Sequence, residues 1–244
     1  MDRKPLDIRT QLGIKESLNA YPILYFMRAL VLFSGGLDST VLATQMKQEA
    51  KETRLLSIDY GQRHAKELDN SQKVADHLGL DHEILKLPQL GHILGGSSLT
   101  DKSIILPEGH YAEESMKSTV VPNRNMILLA LAGGHALSLG FDTIAYAAHA
   151  GDHTIYPDCR PEFADAIDKA LGLADWKDLN LHRPYVEMTK SDLVSLGDQL
   201  GAPLHLTWSC YAGGEIHCGK CGTCVERKEA FELANIADPT KYEE

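Results

Sequence analysis

No stretch of this chain approaches the roughly 18–20 consecutive apolar residues that cross a bilayer, so a membrane-spanning helix is not expected. Tyr21–Met27 is too short and too poorly flanked for a secretion signal. Basic residues are in the minority. The 24 Lys and Arg against 34 Asp and Glu leave a formal net charge of −10, which argues against an extensive nucleic-acid-binding surface. Cysteine is nearly missing before position 210: of the five in the chain, only Cys159 lies upstream. Without an export signal these are expected to be reduced thiols, not disulfides, and the protein to be cytoplasmic. The Gly-Lys-Ser/Thr ending of a Walker A loop and the G-x-G-x-x-G dinucleotide fingerprint do not occur. Repeats and low-complexity tracts are lacking too.

What is present begins at Ala29. An apolar run, Ala29 to Phe33, leads into Ser34-Gly35-Gly36-Leu37-Asp38-Ser39-Thr40. The run reads as a buried parallel strand and Ser39 to Ala50 as a helix. A Gly-rich turn from strand to helix gathers backbone N–H groups where a helix N-terminus already favours anions. Gly35 and Gly36 let the main chain approach phosphate oxygens, and Ser34, Ser39 and Thr40 add hydroxyl donors. The pattern S-G-G-x-D-S resembles the PP-loop of the ATP pyrophosphatase superfamily. That likeness implies ATP binding along Phe33–Thr40 and transfer of AMP to an oxygen of the substrate.

Strands and helices then alternate. Strands are expected at Arg54–Tyr60, His82–Leu87 and Asp142–Ala148. Helices are expected at Ala65–Leu78, Arg124–Leu139, Pro161–Leu171 and Lys190–Leu200. Gly133-Gly134 inside an apolar helix suggests close approach of a neighbour, and 91–119 reads as irregular. A doubly wound parallel sheet follows, with ligands at the carboxyl ends of the strands. The expected organisation is an N-terminal extension (1–27), an ATP-binding α/β domain with substrate loops (28–205) and a C-terminal four-cysteine segment with a helix (206–244).

Cys210, Cys218, Cys221 and Cys224 are separated by seven, two and two residues. Four thiolates suit a closed structural Zn2+ site. Cys-x2-Cys-x2-Cys also occurs around iron–sulfur clusters. Cys159, standing apart, reads as a small buried hydrophobe. Two further segments lie at the expected active edge. Arg124, in Val120-Val-Pro-Asn-Arg-Asn125, can pair with a phosphate or carboxylate bidentately, or cap its helix locally. Gly151 to Phe163 brings Asp152, Asp158, Arg160 and Glu162 together around Tyr156 and Phe163, a mixture suited to a flat polar heterocycle. A solvated loop is the competing reading there. His149 and His153 read as structural. Lys190, at a helix start, is within reach of a transferring phosphate or is an ordinary surface lysine.

Taken together, Phe33–Thr40, Asp59-Tyr60-Gly-Gln-Arg-His64, Ser97-Ser-Leu-Thr100, Val121–Asn125, Gly151–Phe163 and the four cysteines resemble the 7-cyano-7-deazaguanine synthase family. The resemblance spans about residues 29–232. It departs at Asn123, where the family commonly has glycine; asparagine also tolerates left-handed backbone. The resemblance implies a ligase acting on 7-carboxy-7-deazaguanine, ATP and ammonium. The carboxylate and then the amide oxygen would be adenylated, giving a nitrile with release of AMP and pyrophosphate. It implies Asp38, Ser39, Arg124 and Lys190 as catalytic residues, Tyr60 among the substrate contacts, Mg2+ with ATP organised by Asp38, and a homodimer. Glutamine-dependent relatives carry a glutaminase domain with a cysteine nucleophile; here the first cysteine is Cys159 and 244 residues are expected to leave no room for a second catalytic domain, so free ammonium is the expected nitrogen donor. A PP-loop tRNA sulfurtransferase is disfavoured by the acidic charge. A homologue that attaches a deazaguanine to a protein or nucleic acid would share the same pocket, and the sequence barely excludes it. A non-catalytic nucleotide-binding or zinc module is disfavoured by the intact Ser34–Thr40 turn beside the 151–163 segment.

Overall fold

The computed structural model describes residues 27–63, 66–110 and 114–243. Of the expected extension 1–27, only Met27 falls among them, buried against the core. In chain order the elements are β1 (Arg28–Leu32), α1 (Leu37–Glu49), β2 (Glu52–Asp59), α2 (Lys66–Leu78), β3 (Asp81–Lys86) and α3 (Gln89–Ile93). Then follow α4 (Arg124–Leu139), β4 (Thr143–Ala145), α5 (Pro161–Gly172), β5 (Asn180–His182), α6 (Lys190–Leu200) and α7 (Gly222–Leu233). Short 3-10 helices occupy Glu114–Thr119, Ala150–Thr154, Pro157–Cys159 and Leu204–Leu206.

The five strands pair in parallel in the order β3-β2-β1-β4-β5. Side chains of a strand alternate between its faces, and both faces of β1 are covered. Ala29 and Val31, with Phe33 just beyond the strand, enter one core together with α1, α2, α6 and α7. Leu30 enters the other, with Leu129 and Ala132 of α4 and Ile167 of α5. Burial on both sides is why β1 reads as an unbroken apolar run. The doubly wound architecture is therefore as expected. The chain leaves the β3 edge and returns on the far side of β1, so the order reverses between β1 and β4. A crevice opens there at the strands' carboxyl ends.

The differences from expectation are local. α1 begins two residues earlier, at Leu37, because Gly36 occupies the N-cap. Ala65, the expected first residue of the next helix, lies outside the described residues. The expected strand Asp142–Ala148 is regular only over Thr143–Ala145, where its three-residue partner β5 provides a ladder. β5 itself is too short to show a period. Part of 91–119 is packed: Ser97, Ser98, Leu99 and Met116 are buried. Arg63 ties it down by donating its N–H to Leu99 O (2.7 Å) and Nη1 to Ile104 O (3.1 Å). Of the glycine pair, Gly133 is the one in close contact, since a Cβ there would meet Leu171 Cδ2 at 2.8 Å; Gly134 has open space.

Gly35 is required for a reason other than ligand approach. Its φ is +82°, and a Cβ would lie 2.8 Å from the backbone N and Cα of Ser71 in α2. Backbone cannot yield as a side chain can. Gly35→Ala is expected to destabilise the fold by about 2–4 kcal/mol, from left-handed strain and overpacking together. A urea unfolding midpoint unchanged from wild type would contradict this.

Candidate active site

The turn after β1 is shaped by its own serines. Gly36 N–H donates to Ser34 Oγ (3.1 Å), Ser34 N–H donates to Ser39 Oγ (3.3 Å), and the two hydroxyls stand 3.1 Å apart. Trp208 N–H donates to Gly35 O (3.1 Å), fastening a distant strap of chain to the turn. Phe33, Ser34, Gly36, Leu37, Asp38 and Ser39 line a cavity of about 270 Å3. Gly35, held against Ser71, and Thr40, fully buried in α1, do not line it.

A charged cluster forms one side of this cavity. Lys190, the first residue of α6, donates to Asp38 Oδ2 at 2.6 Å. It also lies 3.5 Å from Glu226 Oε2 and 3.3 Å from His149 Nε2. Burial opposes the Lys190 charge, but Asp38, then Glu226 and Asp152, outweigh it and raise its pKa, so it stays an ammonium. Burial likewise pushes Asp38 up, yet Lys190 and then His149 prevail and hold it below the usual carboxylate value. Asp38 Oδ1 is buried with no hydrogen-bond partner. Glu226 is pushed up, chiefly by burial. His149 is both structural and central. Its Nδ1 accepts from Gly151 N–H (3.1 Å) and its own N–H donates to Asp152 Oδ2 (3.3 Å), a reciprocal cap that aims Nε2 at the charged cluster.

The opposite side is aromatic and cationic. Tyr60, Glu67, Arg124, Tyr156, Cys159 and Tyr211 line it. Arg124 begins α4 after Asn123, whose φ of 57° is left-handed. Asparagine tolerates that region better than most residues with a Cβ. Asp158 Oδ2 accepts from Asn125 N–H (3.0 Å), satisfying a free donor at the start of α4. The Arg124 guanidinium lies 5.8 Å from the centre of the Tyr156 ring. Tyr156 Oη is 2.6 Å from Thr119 Oγ1 and 3.3 Å from Tyr211 Oη. Burial raises the Tyr60 phenol above its ordinary pKa. Cys159 accepts from Asn125 Nδ2 (3.3 Å), and burial pushes its thiol far up, so it is no nucleophile.

The cavity therefore brings together Tyr60, Arg124, Asp152, Tyr156 and Lys190 with the turn. It does not bring in Asp158, Arg160, Glu162 or Phe163. Asp158 caps α4, and Arg160 Nε donates to His153 O (2.8 Å) at the surface. Pro161 then starts α5, which leaves Glu162 in solvent and packs Phe163 against the core. Sequence reasoning missed Glu67, Trp208, Tyr211, Thr223 and Glu226. They reach the cavity from α2, the strap that runs into the first cysteine and α7; Tyr211 and Thr223 lie within the four-cysteine stretch, but its spacing points to the metal and not to the cavity.

The four cysteines do converge. Their Sγ atoms all lie within 4.8 Å of one another, with Cys218 and Cys224 at 4.0 Å. A tetrahedral ion with sulfur at about 2.3 Å needs sulfurs about 3.8 Å apart, so the set can hold a metal. N–H groups of Cys218 and Ala212 donate to Cys210 Sγ (3.3 and 3.4 Å), and Cys221 N–H donates to Cys218 Sγ (3.3 Å). The cluster is coupled to the cavity wall, because Thr223 Oγ1 donates to Ser209 O (2.7 Å) beside Trp208. Arg227, fully buried, braces the same strap through Thr207 Oγ1 (2.8 Å) and Leu204 O (3.1 Å). Among the described residues, no helix is long and apolar enough to cross a membrane.

The model of the family described as queuosine biosynthesis protein QueC matches residues 28–235. A 7-cyano-7-deazaguanine synthase of Brucella anthropi is 54% identical over 220 residues, covering 89% of this chain and 94% of the relative. The 7-cyano-7-deazaguanine synthase 1 of Mesorhizobium japonicum is 53% identical over the same shares. Among solved structures, NMN synthetase from Francisella tularensis aligns at 15% identity with a TM-score of 0.47, covering 87% of this chain and 79% of that one. Overlap that low bears on neither fold nor function.

Proposed function

The chain belongs to the queuosine biosynthesis QueC family, and we propose that, as a 7-cyano-7-deazaguanine synthase, it converts 7-carboxy-7-deazaguanine and ammonia to the nitrile by two successive adenylations. The observation that carries this course is that one cavity joins the serine-lined turn and Lys190 to the Arg124 and tyrosine wall. ATP lies with its phosphates on the turn. There the Ser34 and Ser39 hydroxyls exchange their mutual bond for phosphate oxygens, and the Lys190 ammonium faces the charge building on pyrophosphate. Arg124 pairs with the substrate carboxylate and turns it toward the α-phosphate. Tyr60 and Tyr156 pack beside the heterocycle.

Asp38 Oδ1, buried and unpartnered, fits a cation, with Asp152 and Glu226 lining the same cavity. These residues would hold Mg2+, which supplies charge neutralisation to the phosphates. Zinc is the metal assigned to the four thiolates, in a closed structural role. The cytoplasm, where thiols stay reduced, is the compartment of this reading; a homodimer is its assembly, checked by sedimentation. Mass spectrometry of the product tests the reaction. With 7-carboxy-7-deazaguanine, ATP, Mg2+ and ammonium the nitrile is expected, and omission of any one should abolish it. Efficient turnover with glutamine in place of ammonium would contradict free ammonia as the nitrogen source.

A further inference from the structure

We infer that Glu67 is the base that removes the protons of the incoming nitrogen, a role that rests on the adenylation course above. Glu67 stands in the first turn of α2 and lines the cavity. The groups facing it come from three other elements: Ser34 from the turn after β1, Arg124 from α4 and Tyr60 from the end of β2. Ser34 belongs to the phosphate side and Arg124 to the carboxylate side. On that course Glu67 lies between the group given to the phosphates and the group given to the carboxylate, beside the bond that nitrogen must then attack.

The chemistry needs such a group. Ammonia's lone pair forms a C–N bond to the acyl carbon of the adenylate, and the carbonyl π pair moves onto oxygen. The nitrogen, now cationic, gives one proton to the Glu67 carboxylate. The oxyanion re-forms C=O as the C–O bond to AMP breaks, and AMP leaves with the electron pair. After the second ATP adenylates the amide oxygen and releases pyrophosphate, nitrogen must lose two protons while the remaining C–O bond breaks to AMP, leaving C≡N. Glu67 takes these protons one at a time and passes each to solvent.

The other carboxyls are less suited. Asp38 is locked to Lys190 at 2.6 Å and is a weakened base. Asp152 accepts from His149 N–H, and Glu226 lies 3.5 Å from the Lys190 ammonium. Glu67 faces the Arg124 guanidinium instead of that ammonium. Burial pushes it up, Arg124 and then Ser34 pull it down, and the balance is a pKa of about 7. That matches a base working near neutrality.

The test compares wild type with Glu67→Gln and Glu67→Asp. Carboxylate-dependent exchange of labelled pyrophosphate into ATP, without ammonium, reads the first adenylation alone. Nitrile formation, expressed per free ammonia from pH 6 to 9, reads the nitrogen steps. Wild-type rate should rise with pH to a plateau above about 7, since the base acts deprotonated. Glu67→Gln should lose about 10²–10⁴-fold in nitrile formation, far more than it loses in exchange, and should lose the rising limb. Glu67→Asp should recover part of the rate together with the limb. A Glu67→Gln enzyme with wild-type nitrile rate or an unchanged limb overturns the inference. So does a parallel loss of exchange and nitrile formation, or a rise in substrate KM alone, either of which would make Glu67 a binding residue. Absence of exchange in wild type instead defeats the adenylation course, and this role with it.

Discussion

Replacing Lys190 by methionine is expected to slow nitrile formation by about 10²–10³-fold, the usual cost of deleting one preorganised charge donor at a developing anion. KM for ATP should rise as well. Without the ammonium, the carboxylates of Asp38, Asp152 and Glu226 face the triphosphate with one positive charge fewer to offset them. Stability carries a signature of its own. Asp38 is pushed up by burial, but Lys190 and then His149 outweigh that, so its folded pKa lies below its unfolded one. Such a group adds stability above its unfolded pKa of about 4, and the contribution is lost as pH falls through the folded value. Lys190→Met should therefore be less stable than wild type at pH 7, by about 1–3 kcal/mol for a partly buried charged hydrogen bond. The gap should close below about pH 4. Denaturant titrations across pH check this, and a variant with full turnover would remove Lys190 from the mechanism.

Stripping the metal from the four cysteines should lower the melting temperature by about 10 °C or more, because binding to a site absent from the unfolded chain is itself folding free energy. Activity should fall with it. The strap from Leu204 to Tyr211 is held at two adjacent residues, by Trp208 N–H on Gly35 O and by Thr223 Oγ1 on Ser209 O, so the cysteine cluster supports the wall of the cavity. The two tryptophans make this visible. Trp208 is buried beside the cysteines and Trp176 is fully exposed. Chelation should shift emission to the red through Trp208 over a constant Trp176 background. Elemental analysis should find one zinc per chain. A brown chromophore near 400 nm would replace zinc with an iron–sulfur cluster, and an unchanged melting curve after chelation would deny the site a structural role.

Those parts of the site written in contiguous residues were readable beforehand. The apolar run into Ser34–Thr40 specifies strand, turn and helix through local rules alone, and the cysteine spacing specifies a thiolate cluster. Asn123 was readable only as a tolerance: asparagine accepts left-handed backbone, and its φ of 57° shows that the turn uses it. Composition was a poorer guide. Asp158, Arg160, Glu162 and Phe163 look like a binding loop on paper, but Pro161 starts a helix whose register sends Phe163 inward and Glu162 outward. Residue type says nothing of that direction. The reason for Gly35 also lay outside the local sequence, in Ser71, 36 positions away on α2. Glu67 and Glu226 escaped notice because each enters the cavity from a helix far in sequence from the turn after β1, and local pattern does not show which face of that helix meets the cavity.

The central claim is that the turn after β1 holds the departing pyrophosphate while AMP is joined to the substrate oxygen. Turnover with ATP labelled at the α- and γ-positions tests it most directly. The account predicts two AMP and two pyrophosphate for each nitrile formed from the carboxylate; ADP and orthophosphate as the nucleotide products would contradict it.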